Sequence, residues 1–109
     1  MMEFSRKYVF HIPLYSYDGD VLVEIGIDEI LEGLIGTFNE KGFDSLYVTR
    51  VEGHYKSRRF DELLLTLFCD GDAPETIFRD WFRHNNDVLR QEAFAFECGD
   101  RMYVEKLEL

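Results

Sequence analysis

Cysteine and proline are scarce in this 109-residue sequence, which has two of each. Two cysteines are too few for the disulfide framework of a small secreted domain. Cys69 and Cys98 lie in apolar, strand-like stretches, where we expect two free, buried thiols. The first twenty residues lack the apolar segment and the small-residue cleavage site of an export signal. The sequence therefore predicts a cytoplasmic protein.

Long apolar runs and an excess of basic residues are also missing. The longest nearly uncharged apolar run, Leu63 to Cys69, has seven residues, well short of the roughly 20 that a membrane-spanning helix needs. Twenty-two Asp and Glu against twelve Lys and Arg give a formal net charge of -10. Such a surface repels phosphate backbones. We therefore predict no membrane partner and no nucleic-acid partner.

Aromatic residues, by contrast, are abundant: ten Phe, six Tyr and one Trp make up 16% of the chain. Hydrophobic residues make up 46%, far more than a disordered segment contains, and the length is that of one domain. We predict a single α+β domain over residues 1–109. The aromatic content exceeds what a thin core needs, which favours a further buried apolar surface.

Alternating apolar and polar residues predict the strands. They cover Lys7 to Tyr17, Ser45 to Tyr55, Phe60 to Cys69 and Ala93 to Cys98, with extra hairpin strands expected near residues 20–25 and 101–107. Asp18-Gly19 is a dipeptide that two-residue hairpin turns favour. A polar link, Lys56 to Arg59, separates the second and third strands.

The spacing of apolar residues predicts a first helix from Asp28, a suitable N-cap, to Lys41. Gly42 ends it, because glycine adopts the left-handed conformation without a Cβ penalty. Gly33 and Gly36 weaken the interior of a helix unless they allow close packing on a sheet. We expect that they do.

The second helix begins after Asp72, with Pro74 in its first turn and Glu75 completing a capping box, and runs for about four turns to Leu89. The elements follow the order strand, helix, strand, strand, helix, strand. This is the βαββαβ order of the ferredoxin-like split βαβ fold, an antiparallel sheet with two helices on one face. The fold hosts many unrelated functions, so it assigns none by itself.

Two helices on one side of a sheet leave its other side open. Residues of the second and third strands that share the open face are Tyr47, Thr49, Val51, Tyr55, Leu64 and Phe68. This surface is too apolar to remain exposed to water. It predicts a homodimer packed through its sheets, since one patch on two copies satisfies two-fold symmetry, or a ligand cleft covered by that face.

The dense basic patch of the sequence consists of His54, Lys56, Arg58 and Arg59. Converging cations of this kind bind a carboxylate or phosphate, so the patch is a candidate ligand-binding site. The alternative is a solvated turn whose charges protect the end of the hairpin. No His, Cys or acidic pair has the spacing of a metal site, and no motif indicates a cofactor.

Three functions remain open on this evidence. The favoured one is a small cytosolic binding or assembly module that self-associates or binds a small molecule through its apolar sheet face. The second is a small cofactor-independent enzyme of the dimeric α+β barrel type, which a closed pocket containing His11 or His54 with a shifted pKa would favour. The third is an anion-binding sensor that uses the basic turn. No catalytic residue is assigned.

Overall fold

The computed structural model describes residues 1–71 and 73–107. These residues form seven strands and three helices: β1 (Arg6–Pro13), β2 (Tyr15–Asp18), β3 (Val21–Glu24), α1 (Asp28–Glu40), β4 (Leu46–Tyr55), β5 (Arg58–Cys69), α2 (Pro74–His84), α3 (Asn86–Leu89), β6 (Ala93–Cys98) and β7 (Arg101–Lys106).

Five strands form one antiparallel sheet in the order β4-β5-β1-β6-β7, and β2 pairs with β3 in a separate hairpin. Strand β5 lies between β1 and β4, the two strands that α1 connects. Strand β1 lies in turn between β5 and β6, which α2 and α3 connect. The predicted α+β class and both extra hairpin strands, β3 and β7, are confirmed.

The core lies between one face of the sheet and the helices. Phe10, in the central strand β1, is fully buried, and its ring centroid lies 5.5 Å from that of Phe38 in α1 and 4.6 Å from that of Phe78 in α2. Both helices therefore cover the same face of β1. Aromatic pairs at such distances contribute about 0.5–1.5 kcal/mol beyond area burial. Much of the aromatic excess is thus used inside the core of a single chain.

The first predicted strand is two strands, because Leu14 separates β1 from β2. Asp18 pairs with Val21, so the turn residues of the β2-β3 hairpin are Gly19-Asp20 and the prediction of Asp18-Gly19 was wrong. Only Gly19, with φ of 62°, has a positive φ in this turn. This matches a type II′ turn, which has glycine at its first central position.

The link between β4 and β5 is shorter than predicted. Tyr55 pairs directly with Arg58, so only Lys56 and Ser57 form the turn. Both have positive φ, 49° and 65°, as a type I′ turn requires, although neither residue is a glycine. Arg58 and Arg59, which the sequence predicted in the link, belong to β5.

The first helix begins as predicted, but Asp28 is not its N-cap. Ile27 occupies that position without a side-chain cap, and Asp28 lies in the first turn, where its charge favours the helix dipole. Gly42, with φ of 88°, follows the C-terminal end at Lys41.

The second helix is shorter than predicted, because α2 ends at His84 and α3 adds a single further turn. The Nδ2 atom of Asn85 donates a hydrogen bond of 2.8 Å to the carbonyl oxygen of Trp81 at the break. Val88, expected on the apolar stripe, is 43% exposed, whereas Leu89 is buried. The predicted N-cap Asp72 lies outside the described residues.

Cys69 in β5 and Cys98 in β6 are both free, the first buried and the second half-buried. Strand β1 lies between their strands, so the two strands are not neighbours. Burial raises the pKa of the Cys69 thiol above its ordinary value. Separately, no helix among residues 1–71 and 73–107 is long and apolar enough to cross a membrane.

Gly33 and Gly36 do not serve close packing, contrary to expectation. A Cβ atom built at either position would meet no atom within 4 Å.

Replacing Gly33 with Ala should therefore raise the free energy of unfolding by about 0.5–1 kcal/mol, because alanine loses less backbone entropy in a helix. Urea unfolding measures the change. Gly42→Ala is a control with the opposite expected sign. It should lower the free energy of unfolding, since the φ of 88° at this position disfavours a side chain. A lower urea midpoint for Gly33→Ala would contradict the open environment of this glycine.

Candidate functional site

Strands β1 and β6 stop pairing halfway along β1. Residues 8–10 of β1 pair with residues 96–98 of β6, whereas β1 stays paired with β5 as far as Pro13. A cavity of about 370 Å³ lies beyond the last β1-β6 pair, with His11 and Pro13 on one side and Ala93 to Ala95 on the other. The opening in the sheet thus creates a concave site.

A second cavity, of about 290 Å³, adjoins the first. It adds Tyr15, Tyr17 and Leu22 of the β2-β3 hairpin as a wall. The two cavities share the residues Pro13, Tyr55, Phe60, Glu62 and Gln91, and we call them together the cleft. Sites of this size and largely apolar lining are typical of small-molecule ligands.

Gln91 fixes the β2-β3 hairpin at the edge of the cleft. Its Nε2 atom donates hydrogen bonds to the carbonyl oxygens of Tyr15, at 3.0 Å, and Leu89, at 2.8 Å. The amide of Ile25 also donates to the carbonyl oxygen of Leu14, at 2.8 Å. The Gln91 side chain therefore attaches the start of the hairpin to the end of α3, and the bond between Ile25 and Leu14 closes the two ends of the hairpin on each other.

Phe60 lies flat against β4 because residue 53, opposite it, is a glycine. A Cβ atom at Gly53 would collide with the Phe60 ring. Glycine is therefore required at position 53, because the Phe60 ring approaches its backbone too closely for a Cβ atom. The position of Phe60, which lines both cavities, depends on this contact.

His11 lies between two carboxylates on the neighbouring strands. Its Nδ1 atom is 2.9 Å from Oε1 of Glu62 in β5, and its Nε2 atom is 2.7 Å from Oε2 of Glu97 in β6. The side chains of His11 and Glu62 are 18% and 17% exposed, whereas that of Glu97 is 39% exposed. We call these three residues the His11 cluster.

The geometry favours a doubly protonated imidazole, because ionised carboxylates only accept hydrogen bonds and both ring nitrogens face one. Burial lowers the pKa of His11, but the hydrogen bonds and charges of Glu62 and Glu97 raise it by more. The pKa of His11 therefore lies above its ordinary value of 6.5. With both carboxylates ionised, the cluster carries a net charge of -1 beside the cleft, which attracts cations.

Two residues of the predicted basic patch, His54 and Arg59, bind a carboxylate, and His54 also lines the first cavity. Nε2 of His54 is 2.7 Å and an Nη atom of Arg59 is 3.1 Å from Glu52. Arg59 also lies 3.6 Å from Asp61. The contacts with Glu52 are between exposed groups, where an ion pair is worth about 0–1 kcal/mol.

The other two residues of the basic patch lie over separate aromatic rings. The Lys56 ammonium is 5.4 Å from the Tyr55 ring centroid, and the Arg58 guanidinium is 5.3 Å from that of Tyr17. The four basic side chains therefore do not converge on one point. Anion binding at this turn stays a proposal.

The residues predicted for the open sheet face do share one face by their register: Tyr47, Thr49, Val51, Tyr55, Leu64 and Phe68. His11 lies on the same face, since it pairs with Leu64. Tyr47 and Tyr55 are 52% and 65% exposed. Of the six, Tyr55 lines the cleft and the others do not.

Glu62 and Glu97 were not singled out from the sequence. The available signal is a charged residue on the same face as His11, just before the apolar run of β5 and inside the otherwise apolar β6. It becomes informative only once β5 and β6 are known to flank β1. Among residues 1–71 and 73–107, no group of three or more His, Cys, Asp or Glu side chains is placed to hold a metal ion.

Two solved structures resemble this chain over almost its whole length. A phage SAM lyase in its apo state aligns with 100% of this chain and 98% of its own, with a TM-score of 0.59 and 15% identity. A phage SAM lyase in complex with S-methyl-5′-thioadenosine aligns with 98% and 95%, with a TM-score of 0.57 and 12% identity. No family model and no curated protein matches the sequence. The chain has a SAM lyase-like fold.

The His11 cluster predicts a pH dependence of stability. Because the folded-state pKa of His11 is raised above 6.5, its contribution is fully present below the unfolded pKa and is lost as pH rises through the folded pKa. Urea unfolding across this window should show the loss in the wild type and in the exposed-histidine control His84→Gln. It should be absent in His11→Gln. Parallel pH profiles for all three proteins would show that His11 does not carry the proton.

Proposed function

We propose that the protein is a small enzyme that cleaves S-adenosylmethionine and releases S-methyl-5′-thioadenosine. The observation that carries the proposal is a carboxylate-lined cleft in a fold shared, over the whole chain, with phage SAM lyase. One of the two similar structures holds S-methyl-5′-thioadenosine. The cleft also contains both His11 and His54, and the pKa of His11 is shifted. These features support an enzyme over a module with a flat interface.

The proposed reaction breaks the bond between sulfur and the γ-carbon of the methionine part. The bonding electrons go to sulfur, so the cationic sulfonium becomes a neutral thioether. The carboxylate of the four-carbon amino-acid fragment forms the new bond to the γ-carbon and closes a lactone, so no proton is lost. A lyase step of this kind uses neither water nor a redox partner. It is therefore compatible with a chain whose sequence carries no cofactor motif.

The charge of the cleft suits a sulfonium better than a neutral thioether. A unit charge 4 Å from a carboxylate gains about 4 kcal/mol at an effective dielectric constant of 20. Glu62 lines both cavities and is mostly buried, so water screens it less than a surface carboxylate. In the proposed complex Glu62 attracts the sulfonium, and the attraction ends when cleavage removes the charge.

The aromatic side chains of the cleft suit the adenine ring. Tyr55 and Phe60 line both cavities, and stacking of a base on an aromatic side chain is worth about 1–3 kcal/mol. Phe60 is held in place by its contact with Gly53. We assign these two rings to the adenosine part of the ligand.

Incubation of the wild-type protein with S-adenosylmethionine should produce S-methyl-5′-thioadenosine, measured by liquid chromatography and mass spectrometry. Glu62→Gln should lower kcat/KM by roughly tenfold or more, about 1.4 kcal/mol. It should leave the affinity for neutral S-methyl-5′-thioadenosine nearly unchanged, because that ligand carries no sulfonium.

The matched control is Glu32→Gln, which removes one carboxylate from the exposed side of α1. It should behave as the wild type. A wild-type protein that neither forms nor binds S-methyl-5′-thioadenosine would contradict the proposal.

We also propose self-association through the open sheet face. Exposed apolar side chains on that face support it: Tyr47 at 52%, Met102 at 57% and Val104 at 67%. The ferredoxin-like assignment likewise stays a proposal, supported by the order β4-β5-β1-β6 of the four central strands.

Light scattering over a concentration series should give the molar mass of a dimer for the wild type. Tyr47→Asp should lower that mass, because a buried charge in the interface is costly. Val88→Asp, at a 43% exposed apolar position on α3, is the control and should not. A monomer at every concentration would contradict self-association.

A further inference from the structure

We infer that His11 is a positioning residue, which bridges Glu62 and Glu97 and holds the Glu62 carboxylate on the wall shared by the two cavities. The bridge itself is a property of the ligand-free protein. Its role toward a ligand rests on the proposed function.

The hydrogen bonds leave one oxygen of Glu62 available to the cleft. Oε1 of Glu62 contacts Nδ1 of His11 at 2.9 Å. Within the described part of the chain, Oε2 of Glu62 makes no hydrogen bond and is not among the fully enclosed unpartnered atoms. One oxygen is therefore fixed by the imidazole, while the other is free to face a ligand.

The second carboxylate fixes the orientation of the imidazole. An imidazole bound at one nitrogen can still rotate, but the ring of His11 is also held at Nε2, by Glu97 at 2.7 Å. Glu97 comes from β6 and Glu62 from β5, on opposite sides of β1. The ring thus couples the position of β6 to that of the Glu62 carboxylate on β5. A histidine held by a carboxylate at one ring nitrogen orients the group at its other nitrogen in the same way.

Other charged groups near the cluster do not replace this bridge. The titratable groups that face His11 are Glu62 from β5 and Glu97 from β6, with His54 and Tyr55 of β4 elsewhere on the cleft wall. The guanidinium groups of Arg50 and Arg59 lie on the opposite face of the sheet from His11, where they bind Asp61 and Glu52. Without His11, two carboxylates on the same sheet face would repel each other.

A test in the ligand-free protein is NMR of glutamate labelled with ¹³C at the side-chain carboxyl. In the wild type, the Glu62 carboxyl signal should show a second inflection at the pH where the His11 ring titrates, and His11 should titrate above 6.5. Glu97→Gln should lower the His11 midpoint, since it replaces one of the two charged acceptors with a neutral amide. A Glu62 signal without the second inflection would overturn the inference.

A test with substrate is the pH profile of S-methyl-5′-thioadenosine formation. Deprotonated His11 donates only one hydrogen bond, so wild-type kcat/KM should fall as pH rises through the His11 midpoint. His11→Gln should lower kcat/KM about as much as Glu62→Gln and abolish this alkaline decline. The double variant His11→Gln with Glu62→Gln should have the same kcat/KM as Glu62→Gln alone, because both substitutions remove the same interaction.

The control His84→Gln, at an exposed histidine outside the cleft, should keep the wild-type profile. If His11→Gln only lowers stability and retains the wild-type kcat/KM and pH profile, His11 is structural and the inference is wrong. If the wild type forms no S-methyl-5′-thioadenosine at all, the proposed function fails, and the carboxyl NMR alone decides whether His11 holds Glu62.

Discussion

Strand β1 lies inside the sheet, paired along both of its edges. Its side chains alternate between the face that the helices cover and the open face. Phe10 points into the core and contacts both long helices, whereas His11, the next residue, faces the opposite side of the sheet. A shift of one residue in the pairing of β1 would exchange these positions. The register of β1 with β5 therefore controls the core and the candidate site together.

The cleft depends on where β1 loses its second neighbour. Pairing with β6 ends at Phe10, while pairing with β5 continues to Pro13. The separated strands leave room for a ligand, and the β2-β3 hairpin and the long β4-β5 hairpin enclose that room from the side. Phe82 of α2 and Phe94 of β6, which belong to the core, line the first cavity where the strands separate.

Charge distinguishes the cleft from the rest of an acidic surface. A net charge of -10 gives a general preference for cations, but most carboxylates are solvated and screened. The His11 cluster places one excess negative charge in a mostly buried position between three strands. The partial neutralisation is what permits two carboxylates to lie so close together there. In the proposed function, this combination is what suits the site to a sulfonium.

Local chemistry determined much of this protein from the sequence alone. The α+β class, the helix from Asp28, the end of that helix near Gly42 and the four main strand regions follow from periodicity and glycine conformation. Local signals failed where a partner in space decides the outcome. The turn at Lys56-Ser57 lacks glycine and is set by the register of two long strands.

The site was decided by tertiary structure. Residues 11, 62 and 97 are far apart in the sequence, and none belongs to a motif of fixed spacing. They meet because the strand order puts β1 between β5 and β6. The basic patch shows the reverse: Arg58 and Arg59 are adjacent in the sequence, but they contact different groups, because neighbouring residues of a strand point to opposite faces. Sequence proximity therefore determined the elements, and strand order determined which side chains share a cleft.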